Sequence, residues 1–291
     1  MRRVLVTGAN KGVGFAIAER ILEHADDTFV FLGSRDRERG GAAAERLLAQ
    51  PGRADRVCVV EIDVSDDASV SRAAAEVREA SGSDALYGIV NNAGIGIGSE
   101  DLAAVLDVNT RGHHRVCAAL IPLLAEGGRI VNVTSASGPN FVDECSPERQ
   151  RFFTNPEVTW DAIDRLMQEC VGIAGDPDAF AARGLADGSS YGLSKACANA
   201  LTLHLARDNP QLVINACTPG FIATDMTRQY EASQGKTVEE MGAKTPREGT
   251  ASTLFLLFGE PEGSGHYYGS DAKRSPLDRY RSPGTPAYAG D

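Results

Sequence analysis

The sequence lacks the long apolar segments that membrane and exported proteins carry. No apolar run approaches the roughly 20 residues that cross a bilayer, and the apolar stretch at residues 4–6 is too short for the core of a signal peptide. The chain also has no CxxC pair. Its six cysteines are widely separated, which is typical of buried thiols in a reducing compartment. We therefore expect a cytoplasmic protein.

A surplus of positive charge and the spacing of a metal site are missing as well. The formal net charge of −11 argues against nucleic acid or an anionic membrane surface as a partner, since both require clustered Lys and Arg. The five histidines have no metal-site spacing, and the neighbouring pair His113 and His114 would point apart on a helix. The expected ligand is a small neutral molecule, with no metal ion.

The pattern along the chain indicates one α/β domain, since no linker, repeat or low-complexity tract divides the 291 residues. Short β-branched runs alternate with longer amphipathic stretches, which predicts a Rossmann-like, doubly wound parallel sheet of about seven strands. The predicted strands span residues 4–7, 28–32, 57–62, 88–91, 129–134, 213–217 and 266–268. The predicted helices span residues 15–23, 40–50, 68–80, 102–124, 191–207 and 246–258. Thr245, Pro246 and Glu248 form a helix-start signal for the last of them.

Three segments depart from this rhythm. Residues 138–188 are far longer than an ordinary connection and contain helix starts at Ser146-Pro147 and Thr159-Trp160, so we expect a helical insertion there. Residues 218–245 are polar and follow a strand end where ligands bind in such sheets, so we expect a substrate flap. Residues 275–291 are rich in proline and glycine, and we expect a poorly ordered tail after a single domain of residues 1–274.

A glycine-rich turn follows the first predicted strand and opens the first predicted helix. Its glycines let the backbone turn sharply and approach a pyrophosphate, which would bind the free N–H groups at the helix N-terminus. The candidate cofactor residues here are Gly8, Asn10, Lys11, Gly12, Val13 and Gly14. An ordinary tight turn between strand and helix remains the alternative interpretation.

The end of the second strand indicates which dinucleotide is used. An NAD enzyme places a carboxylate there to hold the ribose 2′-hydroxyl, whereas this chain has Arg35, with Arg39 close behind. Cations suit the 2′-phosphate of NADP(H). Asp36 and Glu38 keep open the alternative of a solvated helix start.

Tyr191 and Lys195 are the candidate acid pair. They are four residues apart on a predicted helix, so their side chains share one face. A phenol has a pKa of about 10, and a neighbouring ammonium lowers that pKa toward the working range. Tyr191 could then protonate a carbonyl oxygen while a hydride reaches the carbon.

Other polar residues near strand ends admit two interpretations each. Ser135 ends the fifth strand, where its hydroxyl could hold a carbonyl oxygen, but it could also be a capping residue, and Ser137 is a rival. The Asn-Asn-Ala-Gly run at residues 91–94 could be a plain turn. Asn109 could be an exposed helix residue, and Cys145 is either a reactive thiol or, as we favour, a quiet one.

The order of these motifs resembles the short-chain dehydrogenase/reductase family over about residues 1–270. The motifs that carry the resemblance are Thr7-Gly8-x3-Gly12-x-Gly14, Asp63-Val64, Asn91-Asn92-Ala93-Gly94, Asn109, Ser135, Tyr191-x3-Lys195 and Pro219-Gly220. The insertion before the tyrosine and the run Asn215-Ala216-Cys217-Thr218-Pro219-Gly220 resemble the monomeric carbonyl reductases. Plant relatives acting on terpenoid or alkaloid ketones share that insertion, so the natural substrate does not follow.

The resemblance implies a role for each matching position. Tyr191 would be the acid, Lys195 would lower its pKa and bind the nicotinamide ribose, Ser135 would orient the carbonyl, and Asn109 would hold a relay water. The implied cofactor contacts are Asp63 and Val64 for adenine, Asn91 for the ribose region, Arg35 and Arg39 for the 2′-phosphate, and Ile222 and Thr224 for the nicotinamide amide. Ala93, Gly94, Pro219 and Gly220 are further candidate cofactor residues.

The sequence therefore predicts an NADPH-dependent carbonyl reductase with a small carbonyl substrate. An alcohol dehydrogenase working in the oxidative direction and a non-enzymatic NADPH-binding protein are the alternatives. Relatives without the insertion usually assemble through the helices that flank it, so the resemblance also implies a monomer.

Overall fold

The computed structural model describes residues 1–96, 99 and 101–290, and its centre is a sheet with the strand order β3-β2-β1-β4-β5-β6-β7-β8. The strands are β1 (Arg2–Val6), β2 (Thr28–Ser34), β3 (Val57–Glu61), β4 (Leu86–Asn91), β5 (Leu124–Val133), β6 (Val213–Cys217), β7 (Tyr267–Tyr268) and β8 (Arg274–Ser275). Neighbouring strands are parallel up to β7, and β8 alone of the described strands runs antiparallel to its neighbour. The predicted doubly wound sheet is confirmed, and β8 is an addition that two residues of sequence could not signal.

Helices cover both faces of the sheet because strand side chains alternate between them. Val4 and Val6 belong to one buried cluster with α1 (Gly12–His24), α2 (Arg37–Leu48) and α12 (Ala251–Phe258). Leu5 belongs to the other cluster, with α3 (Asp67–Ser81), α5 (Gly112–Leu120) and α10 (Ser190–Asp208). No helix among the described residues has the length and apolar character to cross a membrane.

The single helix predicted for residues 102–124 is interrupted. The segment consists of α4 (Leu102–Leu106), a π-helical turn (Asp107–Arg111), α5 and a short 3₁₀ turn (Ile121–Leu123). Apolar periodicity continues across the segment, but a π turn holds one extra residue and shifts the side chains that follow it. The interruption places Asn109 on the inside of the molecule.

The predicted helical insertion is confirmed. Its helices are α6 (Ser137–Asp143), α7 (Pro147–Phe153), α8 (Trp160–Val171) and α9 (Pro177–Ala182). Both predicted starts are capped: Ser146 Oγ accepts a hydrogen bond from the Arg149 N–H, and Thr159 Oγ1 accepts one from the Ala162 N–H. On α8, Ile163, Leu166 and Met167 are buried in the larger cluster.

The segment after β6 contains α11 (Glu231–Gln234) and short 3₁₀ turns. The helix-start signal at Thr245 forms as a reciprocal pair of hydrogen bonds with Glu248. The residues after it make a 3₁₀ turn (Glu248–Thr250) before α12 begins, so the α-helix starts later than residue 246.

The tail makes polar contacts with the segment before it. Residues beyond 275 form little regular structure, Arg281 pairs with Asp271, and the Tyr288 N–H donates to the Arg274 carbonyl over 2.9 Å. The poor order expected for the tail stays a prediction, which was based on the lack of apolar periodicity there.

Candidate active site

A cleft of about 990 Å³ opens beyond the carboxyl ends of the strands. It lies where the strand order reverses between β1 and β4, the position at which ligands bind in doubly wound sheets. A volume at the upper end of the range for ligand pockets suits a dinucleotide with a small substrate. The predicted site residues that line it are Gly8, Asn10, Lys11, Gly12, Val13, Gly14, Arg35, Asp63, Val64, Ala93, Gly94, Ser135, Tyr191, Lys195, Pro219, Gly220, Ile222 and Thr224.

The glycine turn has the geometry that a phosphate cradle requires. Gly8 and Gly12 have φ of +65° and +58°, which only glycine adopts without strain. A Cβ on Gly14 would come well under 3.0 Å from the Gly8 carbonyl oxygen, so α1 packs directly on the turn. Lys11 precedes α1 without a side-chain cap, which leaves backbone N–H groups at the helix start to bind an anion.

The turn after β4 is joined to the glycine turn. Thr7 Oγ1 accepts hydrogen bonds from the N–H groups of Asn92 and Ala93, each over 3.0 Å. The Asn92 side chain donates to the Thr7 carbonyl over 2.9 Å. These hydrogen bonds fix the position of the turn after β4 relative to the turn after β1.

Asn91 does not take the place that was expected for it. Its side chain is fully buried, and its amide donates to Asn132 Oδ1 over 2.8 Å, beneath the cleft. Its neighbour Asn92 lines the cleft instead. Successive side chains of an extended segment point in opposite directions. The Asn91 amide is therefore buried, whereas the amide of the next residue, Asn92, faces the cleft.

The end of β2 brings one of the two predicted cations to the cleft. Arg35 lines it beside Asp63 and Val64, and the Asp63 carboxylate accepts a hydrogen bond from the Ser65 hydroxyl. Although partial burial raises the pKa of Asp63, the Ser65 hydrogen bonds and the Arg35 charge outweigh it and leave that pKa below its usual range. Arg39 does not line the cleft; its side chain points outward, 3.4 Å from Asp36.

Lys11 lines the cleft at the glycine turn. Its ammonium pairs with the Asp225 carboxylate over 2.7 Å. Asp225 belongs to the flap, 214 positions later in the chain. In this structure Lys11 therefore joins the glycine turn to the flap.

Tyr191 and Lys195 meet as predicted, one turn apart on α10. Lys195 Nζ lies 5.5 Å from the centre of the Tyr191 ring and donates to the Val133 carbonyl over 3.3 Å. Lys195 is only 3% exposed, and this burial lowers its pKa to about 8. A group with that pKa is mostly protonated at neutral pH, so it presents a positive charge beside the phenol.

Both candidate serines lie at the end of β5, facing the same cleft. The Ser135 hydroxyl donates to Ser137 Oγ over 3.2 Å, and Ser135 Oγ accepts from the Ser137 N–H. Ser137 is the first residue of α6, whereas Ser135 lies in the short connection between β5 and α6. The structure brings both hydroxyls to the cleft that Tyr191 lines.

Asn109 lies behind the cleft wall and is fully buried. Its amide group donates to the Ile95 carbonyl and to Ser194 Oγ, and Asn109 Oδ1 accepts from the Ile95 N–H. These bonds connect the loop after β4 to α10, the helix that carries Tyr191 and Lys195. Asn109 therefore holds that loop in place from behind the cleft wall.

The flap forms the far wall. Gly220 has φ of +91°, and Ile222 makes an isolated bridge with Lys244 that closes the base of the flap. The Thr224 N–H donates to Thr227 Oγ1 over 3.0 Å. A Cβ on Gly12 would lie 3.6 Å from the Thr224 methyl group, so the flap faces the glycine turn directly.

Several cleft residues were not predicted. They come from segments without a motif, and they are Phe221, Met226, Tyr267, Tyr280 and Arg281. The aromatic character of residue 221, next to Pro219-Gly220, is a signal that could have been used. Met226 belongs to the flap, and Tyr267, Tyr280 and Arg281 reach the cleft only because the C-terminal segments fold back over it, which no local pattern indicates.

Two further observations concern Cys145 and groups that could bind a metal. Cys145 is buried, and burial raises the pKa of its thiol to about 12, which suits the quiet thiol. Within the part of the chain that the structure describes, His, Cys, Asp and Glu side chains form no group of three that could hold a metal ion.

Comparisons with known proteins agree with this geometry. The short chain dehydrogenase family model matches residues 2–146. Carbonyl reductase (NADPH) 3 of Rattus norvegicus is 33% identical over 258 residues, which cover 84% of this chain and 89% of that protein. Carbonyl reductase (NADPH) 1 of Oryctolagus cuniculus is 33% identical over 280 residues, covering 91% and 94%.

A solved structure shows the same architecture. Salutaridine reductase from Papaver somniferum superposes with a TM-score of 0.76 at 26% identity, over 92% of this chain and 99% of that one. One third identity to the mammalian relatives, along nearly the whole of both chains, shows that the protein belongs to the short-chain dehydrogenase/reductase family of oxidoreductases.

Proposed function

We propose that the protein reduces a carbonyl group of a ketone, aldehyde or quinone to an alcohol, with NADPH as the hydride donor. The observation that carries the proposal is the buried Lys195 ammonium 5.5 Å from the Tyr191 ring, at the wall of a cleft that also presents Ser135. The relatives named carbonyl reductase (NADPH) support the same activity and direction.

The residues of the cleft fit NADP(H). The glycine turn and the start of α1 would hold the pyrophosphate, and Arg35 would pair with the 2′-phosphate. When bound, the nicotinamide supplies a hydride to the carbonyl carbon. Asp63 and Val64 line the cleft near Arg35 and would contact the adenosine.

The chain itself supplies the proton and the orientation. Tyr191 would donate its phenolic proton to the carbonyl oxygen, so that carbon receives the hydride and oxygen the proton. Lys195 would stabilise the phenolate left behind and favour the return of a proton from solvent. Ser135 would donate a hydrogen bond to the carbonyl oxygen and set its position.

Asn109 would support this arrangement from behind the wall. The resemblance implies a water held by this residue, and the structure shows its amide bonded to the loop at Ile95 and to Ser194 on α10. Asn109 would therefore fix the backbone beside which a relay water sits.

The buried lysine also favours an enzyme over a protein that only binds NADPH. Burial lowers the pKa of Lys195 to about 8. Keeping this lysine protonated in the buried site therefore reduces the stability of the fold. Dinucleotide binding alone does not require that arrangement, whereas proton transfer by Tyr191 does.

Turnover measured at the NADPH absorbance band, with quinones, aromatic aldehydes and cyclic ketones, tests the proposal. Tyr191→Phe should lower kcat by about 10²–10⁴-fold while the Kd for NADPH, measured by nucleotide fluorescence, stays within about twofold. Tyr87→Phe is the matched control, since the Tyr87 hydroxyl donates to Leu257 O away from the cleft. Full activity in Tyr191→Phe would refute the assignment, and faster turnover with NADP⁺ and alcohols would favour the oxidative direction.

We further propose that the protein acts as a monomer. The insertion covers the face formed by the π turn, α5 and α10: Arg111 pairs with Asp164 over 2.7 Å, and Trp160 stacks on His114 with ring centres 3.7 Å apart. A covered face is not open to a second copy. Sedimentation that shows a stable dimer at micromolar concentration would contradict this.

The cytoplasmic location is part of the same proposal. All six cysteines are free thiols in the structure, which is typical of a reducing compartment. Fractionation of the producing cells, with the protein detected by antibody, checks it, and recovery from an oxidising compartment would overturn it.

A further inference from the structure

The C-terminal residues contribute to the substrate end of the cleft. Besides the expected walls, the cleft is lined by Ser275, Tyr280, Arg281 and Pro283. We name residues 276–290 the C-terminal strap. Its path returns the chain to the mouth of the cleft after the end of the sheet at β8.

The strap is held by a buried ion pair. Arg281 pairs with Asp271, and its side chain is only 8% exposed. The guanidinium also donates to Ser275 Oγ over 2.8 Å. The other oxygen of Asp271 accepts from the Gly284 N–H over 2.9 Å. The two oxygens of the Asp271 carboxylate therefore hold two positions of the strap, Arg281 and Gly284.

The anchor holds Tyr280 at the cleft with much of its ring exposed. Among the described residues, the large apolar or aromatic side chains that remain exposed are Met1, Phe221 at 37% and Tyr280 at 50%. Two of these three line one cleft, one on the flap and one on the strap. Exposed aromatic rings that share a concave site indicate a binding surface for a flat apolar group.

Tyr267 connects this surface to the catalytic acid. It lies on β7, lines the same cleft and is buried. Burial raises its pKa first of all, and the phenolic groups of Tyr280 and Tyr191 add to the rise. Tyr191, Tyr267 and Tyr280 line one cleft, so a substrate that stacks on Tyr280 occupies the same cleft that Tyr191 lines.

We propose that Tyr280 is a specificity-determining residue that stacks on the aromatic or polycyclic part of a carbonyl substrate, with Phe221 on the flap completing the apolar surface. The inference rests on the proposed function and names its substrate class: ketones that carry a flat ring system beside the carbonyl. Small aliphatic aldehydes reach Tyr191 without using this surface.

The test compares 1-tetralone, a bicyclic aromatic ketone, with propanal. In Tyr280→Ala, the ratio of kcat/KM for 1-tetralone to that for propanal should fall about tenfold, mainly through KM for 1-tetralone. Tyr280→Phe keeps the ring and should restore the ratio. Tyr288→Ala is the matched control, because that ring lies outside the cleft against Arg274 and Arg279, and its ratio should equal that of the wild type.

Calorimetric titration with 1-tetralol, the alcohol product, measures the same contact without turnover. Its Kd should rise by about the same factor in Tyr280→Ala. Arg281→Ala releases the anchor and should lower the ratio as well, while Arg281→Lys should restore it in part.

The two possible failures are distinguishable. An unchanged ratio and an unchanged 1-tetralol Kd in Tyr280→Ala, with the wild type active on both substrates, would overturn the role of Tyr280 and leave carbonyl reduction intact. No turnover of either substrate by the wild type would overturn the proposed function, and this inference with it.

Discussion

Replacing Lys195 by Met should make the protein much less active and more stable. Lys195 is buried on α10, and its pKa is lowered from 10.5 to about 8. Holding the protonated form in the fold at neutral pH therefore costs about 3 kcal/mol of the free energy of unfolding. Met has a similar length and carries no charge, so the substitution removes that cost.

The pH dependence gives the sign of the effect. Below pH 8 the lysine is protonated in the folded and unfolded states, and the full cost is present. As pH rises from 8 toward 10.5, the folded state releases its proton while the unfolded state keeps it, so the wild type recovers stability. The gain of Lys195→Met should be largest at pH 7 and shrink as pH rises through that window. The lost hydrogen bond to the Val133 carbonyl offsets about 1 kcal/mol of the gain.

Urea unfolding of the wild type and the variant at pH 7, 8.5 and 9.5 measures this difference. Lys236→Met, at an exposed position of the flap, is the control and should change stability by less than about 0.5 kcal/mol at every pH. Turnover of Lys195→Met should fall by about two orders of magnitude. A variant less stable than the wild type at pH 7, or a stability difference that does not vary with pH, would refute the reasoning.

The other predictions concern the cofactor end and the thiols. Arg35→Asp should lower the preference for NADPH over NADH, measured as the ratio of kcat/KM, by at least about tenfold. Arg39→Asp should lower this preference less, because Arg39 points away from the cleft. Equal effects of the two substitutions would contradict the geometry. Gly14→Ala should weaken NADPH binding at least about tenfold, since the added Cβ meets the Gly8 carbonyl, while Gly41→Ala, with open space around it, should stabilise by about 0.5–1 kcal/mol. Iodoacetamide at pH 7.5 should leave Cys145 unmodified by mass spectrometry, because burial raises the pKa of that thiol to about 12; rapid labelling there would contradict this.

Sequence reasoning was most successful where the signal is local. The alternation of strands and helices, the caps at Ser146 and Thr159, and the Tyr191–Lys195 spacing depend on residues that are within a few positions of each other. Short-range geometry determines these features in any fold that contains them. They were enough to predict the sheet, the glycine turn and the Tyr191–Lys195 pair at the cleft.

The errors arose where one position decides the outcome. Asn91 and Asn92 are neighbours with the same side chain, and only the strand register shows which one faces the cleft. Apolar periodicity extends through residues 102–124, but the π turn at Asn109 depends on its bonds to Ile95 and Ser194. Those partners are supplied by other segments of the fold.

The sequence by itself determined the βα rhythm, the glycine turn and the Tyr191–Lys195 pair, because each is built from neighbours along the chain. Only the tertiary structure decided that Lys11 pairs with the flap, that Arg35 rather than Arg39 lines the cleft, and that the C-terminal strap brings Tyr280 to the cleft. Contacts between segments that are hundreds of positions apart depend on the path of the whole backbone, and no local pattern contains that path.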